Sequence, residues 1–227
     1  MVLSRYGLRE WLTISLIAVA AACVFMWLGW WWAVVPVAIV WLALAAFFRD
    51  PPRRVPDSLP PGVMLSPADG TVSAVLTVDH HDAVGGPAVI IRVFLSVLDV
   101  HVNRSPCAGR VAALVHTPGR HLDARSEESA RVNESNLVTL MFAAGADGDE
   151  SPVGVRQVSG AIARRIVCPL RVGDRLDRGQ RFGMIKFGST TELILPQPQA
   201  VRVFVRVGDK VRGGLTQLAA LRPAGER

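Results

Sequence analysis

Cysteine is scarce in this chain of 227 residues: Cys23, Cys107 and Cys168 are all it has. Their number is odd, their spacings are long and no CxxC occurs, which argues against a disulfide framework and against a thiolate zinc site. Reduced thiols fit a protein that faces the cytosol. Other signatures are missing as well. No GxxxxGK[ST] loop, no GxGxxG and no HExxH is present, so the sequence offers none of the common phosphate-loop, dinucleotide or zinc-protease motifs. No metal site is expected. Tryptophan is absent beyond Trp41, and the later aromatics are scattered phenylalanines. Stacking platforms for nucleic-acid bases are therefore lacking, and nucleic acid is not an expected partner. The formal charge of +6 and pI near 10.2 then point toward another acidic partner, such as an anionic lipid surface.

Charge is also absent from residues 11–48, "WLTISLIAVAAACVFMWLGWWWAVVPVAIVWLALAAFF". About 20 apolar residues cross a bilayer as a helix, so this run accommodates two short arms with a break near Gly29. All six tryptophans lie between Trp11 and Trp41. Because Trp favours the lipid–water boundary, Trp30, Trp31 and Trp32 mark the expected hairpin tip. The run is too long for a signal peptide and no small-residue cleavage site follows it. Arg5 and Arg9 precede the run; Arg49, Arg53 and Arg54 follow it. Positive charge on both flanks places both ends on the cytoplasmic side. The arms are short enough that a hairpin lying in the interface is the alternative to one that spans.

Five prolines in "RDPPRRVPDSLPPG" (49–62) read as an extended linker. We therefore divide the chain into residues 1–55, an anchoring helical hairpin with its linker, and residues 56–227. In the second part, Val/Ile-rich stretches such as "GTVSAVLTV", "PAVIIRVFLSV", "GRVAALVH", "SNLVTLMF", "RFGMIKF", "TELILP" and "VRVFVRVGD" alternate with Gly, Pro and Asp. Short, evenly punctuated strands predict a mainly β fold of the α+β class, a compact sandwich or barrel-like domain. "DARSEESARVNESN" is left as a helical turn or polar loop. A weak repeat, "VGDRLDRGQRFG" from Val172 and "VGDKVRGGLTQLA" from Val207, fits either a duplicated turn–strand unit of lipoyl type or two ordinary tight turns.

Four stretches set polar residues in or beside apolar β sequence: "SPADG" (66–70), "FLSVLDVHVNRSP" (94–106), "NESN" (133–136) and "KFGST" (186–190). Asp69 suits a turn. His101 follows a strand among Asp99, Asn103 and Arg104. Gly188–Ser189 permits a specific reaction. A serine hydroxyl can attack the preceding carbonyl and replace the amide by an ester, and glycine there neither obstructs the attack nor resists a distorted backbone. A neighbouring base must take the hydroxyl proton, and β-elimination of the ester then converts the serine to a pyruvoyl group.

In this order and spacing, "SPADGTV", "FLSVLDVHVNRSP", "NES" and "KFGST" resemble the phosphatidylserine decarboxylase family, most closely its short bacterial and archaeal branch. The likeness runs over nearly the whole chain, including the apolar N-terminus and "VRVGDKVRGGLTQLA". It implies a proenzyme that cleaves itself between Gly188 and Ser189. Ser189 becomes a covalent pyruvoyl cofactor heading an alpha chain, residues 189–227, which stays in complex with a beta chain, residues 1–188. Asp69 matches the family's acidic partner in processing, and His101 its histidine near the strand end. One departure stands out: longer members carry a second histidine three residues on, where this chain has Arg104. His101 then serves both processing and decarboxylation, or His116 or His121 contributes, and Arg104 is a candidate for binding the substrate's carboxylate or phosphate.

The implied reaction is decarboxylation of phosphatidylserine to phosphatidylethanolamine in phospholipid biosynthesis, at the cytoplasmic side of the cell membrane. A second copy of the chain is an open partner. Two other functions compete: a non-catalytic, membrane-anchored lipoyl-like binding module, and a serine hydrolase using Ser189 and His101. Both predict an intact chain, whereas the proenzyme splits.

Overall fold

The computed structural model describes residues 2–56, 58–60, 62–143, 150–161, 165–186 and 188–222. It divides into two units, Met1–Pro52 and Arg53–Arg227.

In the first unit, α1 (Leu8–Trp27) and α2 (Val34–Phe47) form the expected hairpin. The turn comes at Gly29, whose φ of 76° favours glycine. The arms touch where Trp41 Nε1 donates to Ser15 Oγ at 3.0 Å and where the Trp11 and Trp41 rings lie 6.3 Å apart. Its two ends return to one side: Ser4 N donates to Phe48 O, and Asp50 N to Val2 O. No residue of α1 is buried. Residues Arg5–Trp27 are long and apolar enough to cross a membrane, while Trp31–Phe47 is shorter.

The second unit is built of strands β1 (Val63–Leu65), β2 (Gly70–His81), β3 (Gly86–Leu95), β4 (Val102–Arg104), β5 (Gly109–Thr117) and β6 (Ser135–Ala143). They are followed by β7 (Glu150–Val158), β8 (Ile166–Val167), β9 (Arg175–Leu176), β10 (Arg181–Ile185) and β11 (Ser189–Pro196), then β12 (Val201–Val203), β13 (Lys210–Val211) and β14 (Gln217–Leu221). One helical turn, α3 (Ser129–Val132), lies in the stretch left open between turn and loop. An eight-stranded sheet runs β13-β2-β3-β11-β7-β6-β5-β9, and two three-stranded sheets run β1-β14-β12 and β4-β10-β8. Every ladder is antiparallel. Apolar side chains of the large sheet, among them Val93, Val138, Val155 and Leu193, share a core with Met64, Phe182 and Leu218 of the small ones. This is a mainly β unit whose eight-stranded sheet curls into a half-barrel, within the sandwich or barrel-like class expected.

The order is a palindrome. A first half, β1-β2-β3 with β11-β12-β13-β14, pairs in the same pattern as a second half, β4-β5-β6 with β7-β8-β9-β10. The match extends to single bonds. Ser66 Oγ donates to Ala68 O and Ser105 Oγ to Cys107 O. Gly214 N donates to Ser66 O and Gly179 N to Ser105 O, each at 2.8 Å. The weak repeat is the clearest case: Gly173 and Gly208 have the same φ of 97°. Asp174 caps Arg171 N and Asp209 caps Arg206 N, each at 2.8 Å. These twin turns deliver β9 and β13 to the two edges of the large sheet. The second half is therefore inserted between β3 and β11 of the first, which pair directly across Leu95 and Ser189.

Candidate functional site

The insertion creates two junctions, residues 96–101 on the way in and, among the described residues, Lys186 and Gly188 on the way out. Register brings them together, because Leu95 and Ser189 are partners at the same end of the β3–β11 ladder.

At the first junction, Ser96 closes a tight turn by donating from N and Oγ to Asp99 Oδ2 at 2.8 and 2.7 Å. His101 follows, fully buried. Its Nδ1 lies 2.9 Å from the Asp99 carbonyl oxygen. A carbonyl only accepts, so Nδ1 carries the proton and Nε2 keeps its lone pair. That nitrogen in turn accepts the Gly188 N–H at 3.3 Å. A histidine whose Nε2 accepts the Gly188 N–H is thus fixed one residue from the Gly188–Ser189 bond.

At the second junction, Gly188 has a φ of 65°, a conformation costly for any residue with a Cβ. Ser189 is fully buried, and its Oγ has no hydrogen-bond partner among the described residues. Buried hydroxyls are nearly always satisfied, so an unsatisfied one marks strain or chemistry. The Gly188 carbonyl rests against Gly160: a Cβ on Gly160 would lie 2.2 Å from that oxygen, so only glycine fits. Beside it, Thr190 Oγ1 donates to Ala124 O at 3.3 Å.

The structure brings His101, Gly188 and Ser189 together. Asp69 lies at the same sheet end, just ahead of β2, but its carboxylate is occupied. Arg53 grips both oxygens, one at 2.7 Å, and the Gly213 N–H reaches Oδ1 at 2.8 Å. Arg104 is buried in β4 and donates to Gly179 O at 3.2 Å. His116 is half exposed on β5, with Nε2 3.7 Å from Glu134 Oε1. His121 comes closer to the junction. Its Nδ1 is 3.2 Å from Oγ of Ser159, the residue before Gly160, and its Nε2 is 3.8 Å from Glu134 Oε2. The "NES" stretch supplies both Glu134 and Asn133, whose Nδ2 donates to Leu122 O and Ser159 O.

Several residues escaped the sequence reading. Gly160 lies in none of the motifs. Gln157 and Asn103 form a buried hydrogen-bonded chain to Thr191. On the opposite face of β11, Glu192 is buried between Arg92 and Arg156, accepting at 2.7 and 2.8 Å. A polar residue at an inward position of an apolar strand was the available signal for Gln157 and Glu192. Thiol chemistry is not in play in the core: burial pushes the Cys107 thiol up to about 12.

A glycine of positive φ, a buried hydroxyl without a hydrogen-bond partner among the described residues and an imidazole on the Gly188 N–H thus meet at one junction. Comparison with known proteins gives the family. The family model for phosphatidylserine decarboxylase matches residues 42–219. A Rhodopirellula baltica protein named phosphatidylserine decarboxylase proenzyme is 41% identical over 221 residues, covering 95% of this chain and 86% of its own. A Symbiobacterium thermophilum protein of the same name is 44% identical over 209 residues, 91% of each chain. One from Carboxydothermus hydrogenoformans is 37% identical over 222 residues, 98% of each. The chain belongs to the phosphatidylserine decarboxylase family.

Proposed function

We propose that this chain is a proenzyme that cleaves itself at Gly188–Ser189 and then decarboxylates phosphatidylserine to phosphatidylethanolamine. The observation that carries the reading is the buried, unpartnered Ser189 Oγ beside Gly188, whose N–H is held by His101 Nε2. In the first step His101 Nε2 accepts the Ser189 hydroxyl proton, and Oγ attacks the Gly188 carbonyl carbon. The C–N bond breaks, the nitrogen takes a proton, and an ester joins residues 188 and 189. Loss of the Ser189 α-proton then breaks Cβ–Oγ and releases Gly188 as a carboxylate. The dehydroalanine left at position 189 tautomerises, and water displaces ammonia to leave a ketone.

The residues present fit such a group. Position 189 is fixed against Leu95 in the ladder and buried, and the imidazole holds the N–H of the preceding residue, Gly188. A pyruvoyl carbonyl there supplies an electron sink for decarboxylation of an amino acid. His101 holds the proton that returns to the substrate carbon. His121, backed by Glu134, borders the scissile carbonyl through Ser159 and Gly160, and is the second candidate for moving protons in cleavage. Asp69 acts by fixing Arg53 and the Gly213 turn. After cleavage, residues 189–227 remain bound because β11 pairs with both β3 and β7.

The apolar hairpin supports work at a membrane surface. We place the β unit on the cytoplasmic side of the cell membrane, where Arg49, Arg53 and Arg54 lie in the flanking sequence. Purified protein mixed with phosphatidylserine vesicles tests the reading. Wild type should accumulate phosphatidylethanolamine and Ser189→Ala should form none; equal turnover by the two would refute it.

A further inference from the structure

A chain of three amide side chains crosses the core beside the site. Asn136 Nδ2 donates to Gln157 Oε1 at 2.9 Å. Gln157 Nε2 donates to Asn103 Oδ1 at 2.8 Å. Asn103 Nδ2 donates to Thr191 Oγ1 at 3.1 Å. Asn103, Gln157 and Thr191 are all fully buried, next to Val93, Val155 and Leu193 of the main core. Apolar side chains of similar size suit such a position, and a buried polar chain adds little net stability over them. What a fully satisfied chain does supply is a fixed geometry.

The place that is fixed follows from spacing. Asn103 is two residues beyond His101, and Thr191 is two residues beyond Ser189. In extended chain, side chains two apart share a face. Two rungs join the inserted half to the start of the returning chain: His101 Nε2 to the Gly188 N–H, and Asn103 Nδ2 to Thr191 Oγ1 on β11. Strands β4 and β11 belong to different sheets, so these rungs are side-chain bonds and not part of a ladder. Gln157 and Thr191 are register partners on β7 and β11, and the Asn103 amide is clamped by both at once.

Cleavage separates the rungs. Gly188 stays on the large chain and becomes its terminus, so its bond to His101 no longer ties the imidazole to residue 189. Thr191 goes with the small chain, and the Asn103–Thr191 bond still joins the histidine's strand to it. We propose that Asn103, held by Gln157 and Thr191, is a positioning residue that keeps His101 over position 189 after the backbone is cut. This inference rests on the proposed function. It explains why a polar chain occupies a core position: the second rung still reaches the small chain after cleavage, whereas the first no longer does.

The test uses the full-length protein with Thr191→Val, which removes the acceptor at nearly constant shape, and Thr191→Ser, which restores it. For each, the cleavage half-time, the thermal midpoint, and kcat and KM of the cleaved form on phosphatidylserine are measured. Thr191→Val should lengthen the cleavage half-time about tenfold, while kcat of the cleaved form falls about a hundredfold with KM unchanged, the scale of a misplacement near 1 Å. Thr191→Ser should return kcat to within about threefold of wild type, because the hydroxyl again accepts from Asn103. Asn103→Ala should act in the same direction, and Thr191→Val decides the matter where that variant does not fold. A cleaved Thr191→Val enzyme with kcat within about threefold of wild type and only a lowered thermal midpoint would mean the clamp is merely structural. If wild type cleaves but leaves phosphatidylserine unchanged, the functional reading fails separately. The clamp is then judged on the half-time, which Thr191→Val must lengthen and Thr191→Ser must not.

Discussion

The two halves of the β unit share their strand pairing, their Ser-Pro turns and their Val-Gly-Asp turns, yet carry different loads. In the first half the Ser-Pro turn reads "SPADG" and holds Asp69; in the second it reads "SPCAG" and has Ala108 in the same place. The turn thus folds without a carboxylate, so Asp69 answers a local need, the Arg53 guanidinium and the Gly213 N–H. A second difference is larger. In the second half β6 runs to β7 through a short connection, with Ala143 opposite Glu150. In the first half the equivalent connection between β3 and β11 is opened to admit the whole second half. The proposed chemistry sits in that opening. A duplicated scaffold supplies rigid strand ends, and the one interrupted hairpin supplies two chain segments whose side chains are free to specialise.

The largest effect that tests this contrast is at the opening itself. Ser189→Ala should abolish cleavage completely and leave one chain on a denaturing gel, with a thermal midpoint near that of wild type, since Oγ has no partner to lose. Asp69→Ala makes the first half like the second. It strands a buried arginine, and unfolding in urea should show a loss of about 3–5 kcal/mol; an unchanged midpoint would mean that the ion pair does not hold the turn. Gly160→Ala should push on the Gly188 carbonyl and slow cleavage about a hundredfold, as timed by gel, and should lower stability as well, because the atom it meets is backbone that must shift. The smallest effects should be equal in the two halves. Gly173→Ala and Gly208→Ala meet no atom within 4 Å, so each should cost only the backbone strain of its positive φ, about 1–2 kcal/mol. Unequal losses in urea titrations would argue that the twin turns are not equivalent.

Much of this was legible from the sequence, for physical reasons. The uncharged run gave the hairpin and its turn at Gly29, because a bilayer sets helix length. Alternating strands such as β2, β5 and β6 stood out because one face is less buried than the other. Strand β7 did not: "ESPVGVRQV" carries Pro152, Gly154, Arg156 and Gln157, and those polar residues serve the two faces of β11. Glu192 lay unremarked within "TELILP", since no pattern announces that two arginines from neighbouring strands will enclose it. The Gly188–Ser189 bond, His101 and Asp69 were legible through motif resemblance. The lock on Asp69 was not, since it comes from Arg53 of the proline-rich linker and from Gly213, 144 residues away. Nor was the palindrome, which lives in pairing and shows in sequence only as the Val-Gly-Asp repeat and the paired Ser-Pro turns.

The central claim is that the chain cuts itself where the inserted half rejoins β11. The intact mass of the purified full-length protein tests it most directly. The account predicts two masses, for residues 1–188 and for residues 189–227, the latter blocked at its N-terminus by a ketone in place of the amine. A single full-length mass in protein that decarboxylates phosphatidylserine would contradict it.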